Sequence, residues 1–368
     1  YAVPLAAAFG DAVEEISDKY HWIVLANLNN SEGGGVLYDG VYSPAFRERV
    51  LEALASQKKL KGEEGSILIQ RGRVLRRQAT LDETARSSRV LKAEQSNSAI
   101  LYRDAFFFKL YRKLEPGINP DVEVLQHLSE HAGYGNVPAY AGSMEYKPDR
   151  GEGEALGLLM EFVPNQGDAW TYTLEAVDRY FDKLLETKHE IETKPPRPTA
   201  GLGSEVAEIP ESFLVLADGF FMEMMALLGR RTGELHLALA GELEKREFKP
   251  EPFSKLYQRS VYQSLRSLFR RVASTARKAK RGAPEATRAG IDNLLEMETE
   301  ILERFSRITK EKIEAEKIRI HGDYHLGQVL FTGRDFMIID LAGEPARTLS
   351  ERRLKYSPFR DVAGILRS

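Results

Sequence analysis

Two aspartates near the C-terminal end follow apolar, strand-like runs and have the residue type that phosphoryl transfer needs. Asp323 lies in HGDYHLGQVLF, Asp340 ends the run FMIID, and Gln328 follows five residues after Asp323. Phosphoryl transfer needs one carboxylate that accepts the proton of the attacking hydroxyl. A second carboxylate and another oxygen ligand hold Mg²⁺ on the phosphates. A hairpin between the two runs would place these groups at neighbouring loop ends, facing one cleft.

Neither aspartate is distinctive alone, because an isolated Asp at a strand end is most often a turn residue. The combination H-G-D-x-x-x-x-Q followed by I-I-D is far more specific, since it supplies a base and two metal ligands within one short segment. We therefore favour phosphoryl transfer over a pair of turn residues.

The composition excludes several other kinds of chemistry. The 368 residues include no Cys, which excludes thiolate nucleophiles, disulfides and Cys-ligated metal centres. With 52 basic and 55 acidic residues the net charge is −3, so the chain has no bulk positive charge and we expect no nucleic-acid partner. No Walker A motif and no G-x-S-x-G elbow occurs.

The middle of the chain predicts a hairpin and a helix that could position a nucleotide. Strands are expected over Ser98–Tyr102 and Ala105–Tyr111, followed by a helix over Pro120–His131. Another apolar run ends at Pro164, and a further helix is expected over Thr173–Lys188. These elements form the second of three predicted subdomains, residues 91–200.

The first 90 residues predict a small α+β cap. Strand-like runs cover residues 21–30 and 33–42, and Ser43 with Pro44 predicts a helix that continues to Leu60. The segment GSILIQRGRVLRRQ predicts a hairpin with its turn near Gly72.

The third predicted subdomain, residues 201–368, is mostly helical and follows a proline-rich break at Thr193–Ser204. Long helices are expected over residues 210–245, 252–281 and 283–318, before strand-like runs resume. Within the first helix, an apolar stretch over Phe213–Gly229 is interrupted by two acids and is shorter than the ~20 apolar residues of a membrane span. We therefore expect no membrane partner, and a cytoplasmic protein because no targeting or lipidation signal appears.

The segment HGDYHLGQVLF followed by IIDLAGEP resembles the catalytic and metal loops of the aminoglycoside-phosphotransferase-like branch of the protein-kinase fold. Within that branch, KLYRKLEPGINPDVEVLQHL and LAGEPARTLSERRLKYSPFRDVAGILRS are similar to bacterial maltokinases, which phosphorylate maltose to maltose 1-phosphate. The resemblance covers nearly the whole chain. It implies an α+β, two-lobed protein-kinase-like fold with an N-terminal cap, and ATP and Mg²⁺ as cofactors.

The resemblance also implies roles for individual residues. Asp323 matches the catalytic base, and Gln328 and Asp340 match the Mg²⁺ ligands. Lys109 matches the strand lysine that contacts the α- and β-phosphates, and Glu123 on the following helix matches its ion-pair partner. The alternatives are that Lys109 is one more solvated base and Glu123 an ordinary helix-face acid. Three phenylalanines before Lys109 and Leu110 after it form an apolar setting that favours a purposeful charge at Lys109.

The remaining expected contacts are to the nucleotide and the sugar. Ser96, Asn97 and Ser98 occupy the hairpin tip where protein kinases carry a glycine-rich loop. Backbone groups of Glu161 and Val163 are expected at the adenine. The candidate sugar ligands are charged or aromatic side chains near the C-terminal end, namely His321, Glu344, Arg347, Lys355 and Tyr356. A solvated charge run is the alternative for most of them.

Two other functions stay open at this point. One is a kinase for another sugar, such as glucosamine, and the other is a non-catalytic kinase-like scaffold or regulatory module. Maltokinases occur alone or fused to trehalose synthase, so a fusion to or complex with that enzyme is implied as well. They also continue beyond the segment that ends here at Ser368, and the resemblance implies that this chain is truncated relative to them.

Overall fold

A computed structural model describes residues 1–30, 33–77, 87–91, 97–186, 216, 218–241 and 245–368. The predicted break at Thr193–Ser204, the start of the helix predicted from residue 210, and Ser96 lie outside these residues. In the described part of the chain, no helix is both long enough and apolar enough to span a bilayer.

The N-terminal cap is a three-stranded antiparallel sheet in the order β1-β3-β2. The cap elements are β1 (Leu5–Phe9), α1 (Asp11–Tyr20), β2 (Val24–Asn30), β3 (Gly33–Asp39) and α2 (Pro44–Ser56). Ile23, Val36 and Tyr38 form a small core of this sheet. Helix α2 ends four residues before the predicted Leu60, because Gln57 adopts a left-handed conformation with φ of 55°.

A seven-stranded antiparallel sheet follows the cap, in the order β4-β5-β9-β10-β8-β7-β6. Its strands are β4 (Leu60–Lys61), β5 (Gly65–Arg71), β6 (Ser88–Leu91), β7 (Asn97–Tyr102), β8 (Phe106–Tyr111), β9 (Tyr140–Pro148) and β10 (Glu154–Glu161). The β7–β8 hairpin confirms the predicted one. The subdomain boundary at residue 90 stays a prediction, although β4 and β5 already belong to this larger sheet.

The predicted hairpin at Gly72 is wrong. After β5 the chain forms a short helix, α3 (Arg73–Arg77), and β5 pairs with β9 instead. A Cβ atom at Gly72 would lie 2.4 Å from the Tyr140 carbonyl oxygen. Gly72 therefore serves a close backbone approach to the neighbouring strand and does not form a hairpin turn.

Strand β8 separates two cores, which explains the direction of Lys109. Phe106, Phe108 and Leu110 pack into one core with α2. Successive side chains of a strand point to opposite faces, so Lys109 and Tyr111 point to the other face. That face packs against α4 (Pro120–Gln126) and the C-terminal half of the chain.

The C-terminal half is mostly helical, as predicted. Its helices are α5 (Ala169–Glu186), α6 (Gly219–Ala240), α7 (Lys255–Ala279), α8 (Glu285–Glu296), α9 (Glu298–Ser306), α10 (Leu349–Arg352) and α11 (Phe359–Arg367). Its short strands are β11 (Glu251–Pro252), β12 (Glu316–Lys317), β13 (Val329–Phe331) and β14 (Phe336–Ile338). The single helix predicted over 283–318 is two helices, because the chain turns at Met297, and the second of them ends at Ser306, before β12.

Candidate active site

His321 connects the loop that carries Asp323 to the loop that carries Asp340. Its Nε2 atom lies 2.9 Å from the Ile339 carbonyl oxygen, to which it donates. The backbone N–H of Asp323 donates to His321 Nδ1 over 3.3 Å. The imidazole is only 1% exposed. The prediction that His321 contacts the sugar is therefore wrong, since both ring nitrogens are used within the protein.

Asp361 on α11 holds the same loop from the other side. Its two carboxylate oxygens accept the backbone N–H groups of His321 and Gly322, each over 2.9 Å. His236 Nε2 lies 3.0 Å from Asp361 Oδ2. Burial alone would raise the pKa of Asp361, but these donors outweigh it and hold that pKa below its usual range. No local signal in the sequence pointed to this role of Asp361.

The carboxylate of Asp323 differs from those around it. It is partly exposed and accepts no hydrogen bond from any residue in the described ranges. The backbone of its loop is fixed by His321 and Asp361, as described above. Asp323 thus combines a fixed position with free acceptor oxygens, which is what proton acceptance from a substrate requires.

Asp340 lies two residues after the end of β14 and adopts a left-handed conformation with φ of 58°. This conformation is rare outside glycine, although Asp tolerates it better than most residues. Its Oδ1 atom lies 2.6 Å from Lys109 Nζ, and its Oδ2 atom lies 3.3 Å from Gln328 Nε2. Burial would raise the pKa of Asp340, but the Lys109 ammonium outweighs it, so this carboxylate is ionised.

Lys109 lies between two carboxylates. Its second partner is Asp121 on α4, whose Oδ2 atom is 2.8 Å from Lys109 Nζ. Asp121 also accepts hydrogen bonds from the Tyr111 hydroxyl over 3.0 Å and from the backbone N–H of Leu341 over 3.1 Å. Burial would lower the pKa of Lys109, but the two carboxylates outweigh it and raise that pKa. We call Lys109, Tyr111, Asp121 and Asp340 the lysine cluster.

The predicted ion pair between Lys109 and Glu123 is wrong, and Asp121 takes that place. Residues two apart on a helix point about 200° away from each other, so Asp121 and Glu123 cannot both face Lys109. Glu123 Oε2 instead accepts from Arg319 Nη1 over 2.8 Å, and Glu123 Oε1 accepts from Arg353 Nη2 over 2.6 Å. Arg319 is 1% exposed. The pattern N-P-D-V-E offered both acids, and the sequence could not tell which one faces β8.

The residues predicted at the nucleotide are only partly described by the structure. Asn97 and Ser98 lie on β7 and not at a hairpin tip, and Ser98 Oγ accepts from Arg112 Nε over 2.9 Å. Glu161 is the last residue of β10, and its N–H donates to the Ala139 carbonyl. The Val163 carbonyl accepts from Asn165 Nδ2 over 2.8 Å. Their contacts with adenine and phosphate stay predictions.

Three of the predicted sugar ligands lie together in what we call the arginine cluster, which consists of Glu344, Arg347, Tyr356 and Arg360. Arg347 Nε lies 2.7 Å from Glu344 Oε2 and Arg347 Nη1 donates to the Tyr356 hydroxyl over 2.9 Å. Arg360 Nη2 also reaches Glu344 Oε2, over 3.1 Å, and its guanidinium lies 4.8 Å from the Tyr356 ring centre.

The arginine cluster begins next to the catalytic loop. A Cβ atom at Gly322 would lie 3.5 Å from the Cα atom of Gly343, the residue before Glu344. Both glycines have positive φ, 84° and 72°, so the two loops meet where neither carries a side chain. Glu344 therefore follows a residue that contacts the loop of Asp323, so it lies near the place where an acceptor would bind at Asp323.

Lys355 does not belong to this cluster, and its prediction as a sugar ligand is wrong. Its ammonium donates to the Arg246 carbonyl and to Glu251 Oε1, both over 2.8 Å. The residue is 8% exposed. A buried ammonium must be paired, and here the protein itself supplies the partners.

Comparisons with known proteins show which family and which fold this chain resembles. Residues 87–343 match the model of the phosphotransferase enzyme family. A solved structure of glucosamine kinase in complex with glucosamine, ADP and inorganic phosphate is similar with a TM-score of 0.58 and 16% identity, over 99% of this chain and 74% of the solved one. The likeness confirms the predicted α+β, kinase-like fold.

Two further structures of glucosamine kinase are similar. Crystal form A matches with a TM-score of 0.58 and 16% identity over 92% of this chain. Crystal form B matches with a TM-score of 0.55 and 16% identity over 89% of this chain. In both, the present chain spans 64% of the length of the solved protein.

Proposed function

The chain belongs to the phosphotransferase enzyme family, and from this premise we propose that it is an ATP-dependent sugar kinase that converts maltose to maltose 1-phosphate. The observation that carries the proposal is the 2.6 Å contact between Lys109 and Asp340. These residues come from the sheet and from the loop after β14, and a perturbed ion pair that joins two such distant segments beside Asp323 is a functional-site candidate.

In the proposed reaction Asp323 accepts the proton of the anomeric hydroxyl as that oxygen attacks the γ-phosphorus of ATP. Lys109 contacts the α- and β-phosphates and offsets their charge. Asp121 holds the Lys109 ammonium on the face of β8 that packs against α4. Asp121 also accepts the backbone N–H of Leu341, so it connects Lys109 to the loop of Asp340. These groups position the reactants and stabilise charge, the main contributions to phosphoryl transfer.

The residues present fit a magnesium ion. Lys109 Nζ lies 2.6 Å from Asp340 Oδ1, and Gln328 Nε2 donates to Asp340 Oδ2 over 3.3 Å. Rotating the Gln328 amide by about 180° would exchange its nitrogen and oxygen, so that this oxygen and Asp340 Oδ2 could share one small cation. In the described part of the chain no three His, Asp or Glu side chains converge as a metal site. This suits Mg²⁺, which is bound by one or two carboxylates together with substrate phosphates and water. When bound, the ion would neutralise charge on the β- and γ-phosphates.

Maltose is proposed as the acceptor because the C-terminal segment is similar to that of maltokinases. The arginine cluster, next to the catalytic loop, is the proposed sugar site: Glu344 and the two arginines offer hydrogen bonds to hydroxyls, and the Tyr356 ring offers a stacking face. Glucosamine is the second candidate, because the Glu344 carboxylate could pair with the ammonium group of an amino sugar and the solved structures similar to this one are glucosamine kinases.

A substrate panel with ATP consumption as the readout tests the proposal. Wild type and Asp323→Ala are compared with maltose, glucosamine and glucose. Consumption that is greatest with maltose and depends on Asp323 supports the proposal. ATP consumption with glucosamine alone would mean that glucosamine, and not maltose, is the acceptor. No consumption with any sugar, together with no rise in melting temperature on adding ATP, would favour a non-catalytic module.

A further inference from the structure

One face of helix α11 contacts the catalytic loop at three points. Asp361, Gly364 and Ser368 are three and four residues apart, so they lie on the same side of the helix. Asp361 accepts the N–H groups of His321 and Gly322. Ser368 Oγ, at the end of the helix, accepts the N–H of Leu326 over 3.1 Å. The loop that carries Asp323 is thus held at both ends by this helix.

Gly364 lies between these two anchors, where the loop comes closest to the helix. A Cβ atom built on Gly364 would lie 2.4 Å from the Tyr324 carbonyl oxygen, and real contacts of this kind begin near 3.4 Å. Tyr324 is the residue after Asp323. Its side chain is 3% exposed, and its hydroxyl lies 2.9 Å from Thr232 Oγ1 on α6. The contact with Thr232 therefore restrains the loop on the side opposite α11, so the loop cannot easily move away from Gly364.

Resting on the proposed function, we propose that Gly364 is a positioning residue for phosphoryl transfer. The missing side chain sets the distance between α11 and the Tyr324 carbonyl, and through it the position of Asp323. The glycine is unusual in this place, since glycine inside a helix is destabilising relative to alanine. Gly233 and Gly290 also lie inside helices, and a Cβ atom on either meets nothing within 4 Å.

The test compares Gly364→Ala with the matched control Gly233→Ala in the full chain. An added methyl at Gly364 must move the Tyr324 carbonyl by about 1 Å, and a misplacement of that size costs roughly 10²-fold in turnover. We expect kcat of Gly364→Ala to fall by about that factor while the Kd for ADP stays within about 2-fold of wild type. Gly233→Ala should keep the wild-type kcat. A Gly364→Ala enzyme with the kcat of the control would overturn the proposal.

Hydrogen exchange of the backbone amides of residues 321–326 gives a readout that needs no activity. We expect the His321 and Gly322 amides to exchange faster in Gly364→Ala than in Gly233→Ala, and equal rates would overturn the proposal. If wild type phosphorylates no sugar, the proposed function fails while this measurement still decides the role of Gly364.

Ser368→Ala serves if Gly364→Ala does not fold. It removes one acceptor and adds no overlap, so we expect faster exchange at Leu326 and a kcat lower by a few-fold. Unchanged exchange and unchanged kcat in Ser368→Ala would count against α11 as the support of the loop.

Discussion

The lysine cluster and the arginine cluster both join acids to bases, but the fold builds them differently. In the lysine cluster, Lys109, Asp121 and Asp340 come from a strand, a helix and a distant loop, and the side chains of Lys109 and Asp121 are 12% and 3% exposed. In the arginine cluster, all four residues lie between positions 344 and 360, and Glu344 is 41% exposed. One cluster depends on the whole fold and the other on a single segment.

The difference has an energetic consequence. Removing one partner of a buried ion pair is strongly destabilising, because it leaves an unpaired charge in a poorly solvated place. An exposed pair contributes only about 0–1 kcal/mol. Substitutions are therefore tolerated poorly in the lysine cluster and well in the arginine cluster.

The largest effect is expected from removing the proposed base, which belongs to neither cluster. Asp323→Ala should lower kcat about 10²–10⁴-fold, because proton acceptance is lost. Steady-state kinetics with ATP and the preferred sugar measure the effect. Asp104→Ala, in the exposed turn between β7 and β8, is the control and should behave as wild type. Near-normal turnover in Asp323→Ala would remove this residue from the mechanism.

Glu123→Gln tests the ion pairs that Glu123 on α4 forms with Arg319 and Arg353. The change leaves Arg319 buried with a neutral partner, and we expect a loss of about 3 kcal/mol in the free energy of unfolding, measured in urea. Glu300→Gln is the matched control, because Glu300 pairs with Arg304 on an exposed helix face. It should lose less than about 0.5 kcal/mol. Equal losses in the two variants would mean that burial does not distinguish them.

Asp121→Asn breaks the lysine cluster with little change of shape. The Lys109 ammonium then has Asp340 as its one carboxylate partner, and kcat/KM for ATP should fall about 10- to 100-fold. Asp149→Asn changes an exposed Asp and should leave kcat/KM unaltered. If Asp121→Asn keeps wild-type kcat/KM, Asp121 does not support Lys109 in the reaction.

Acid should destabilise the folded protein through its buried carboxylates. The pKa values of Glu123, Asp340 and Asp361 are lowered in the folded protein, because bonds from their partners outweigh burial. Each carboxylate therefore contributes stability that is present above its unfolded pKa and lost as pH falls through its folded pKa. Urea unfolding at about pH 6 and about pH 3.5 should show a smaller acid-induced loss in Glu123→Gln than in wild type. An equal loss would exclude Glu123 from this effect.

The smallest effect is expected in the arginine cluster. Arg347→Ala removes bonds to Glu344 and Tyr356 that are partly exposed, so stability should change by less than about 1 kcal/mol. If the cluster binds the sugar, KM for the acceptor rises a few-fold and KM for ATP does not. A rise in the KM for ATP alone would mean that the arginine cluster contributes to ATP binding and not to sugar binding.

The sequence predicted the hairpin of Lys109, the helix after it and the two loops of Asp323 and Asp340, because each carries a local signal. The strand-like apolar run of β8 and the motif H-G-D-x-x-x-x-Q with I-I-D are readable without a structure. The resemblance assigned Lys109 and Asp340 to one site, but their direct contact was not predicted, since 231 residues separate them.

The errors share a different cause. Whether Asp121 or Glu123 faces Lys109 depends on how α4 is rotated against the sheet, which the helical pattern leaves open. Lys355 looked like a free surface base because its partner Glu251 is 104 residues away. His321 looked like a ligand because its buried contact is a backbone carbonyl, which leaves no trace in the sequence. Long-range packing decided all three.

The most direct test of the account is the identity of the product. Wild-type protein is incubated with MgATP and maltose, and the products are followed by phosphorus NMR. The account predicts ADP together with a phosphate on the anomeric oxygen of maltose, both formed at least about 10²-fold more slowly with Asp323→Ala. Free phosphate without any sugar phosphate, or product formation at the wild-type rate in Asp323→Ala, would contradict it.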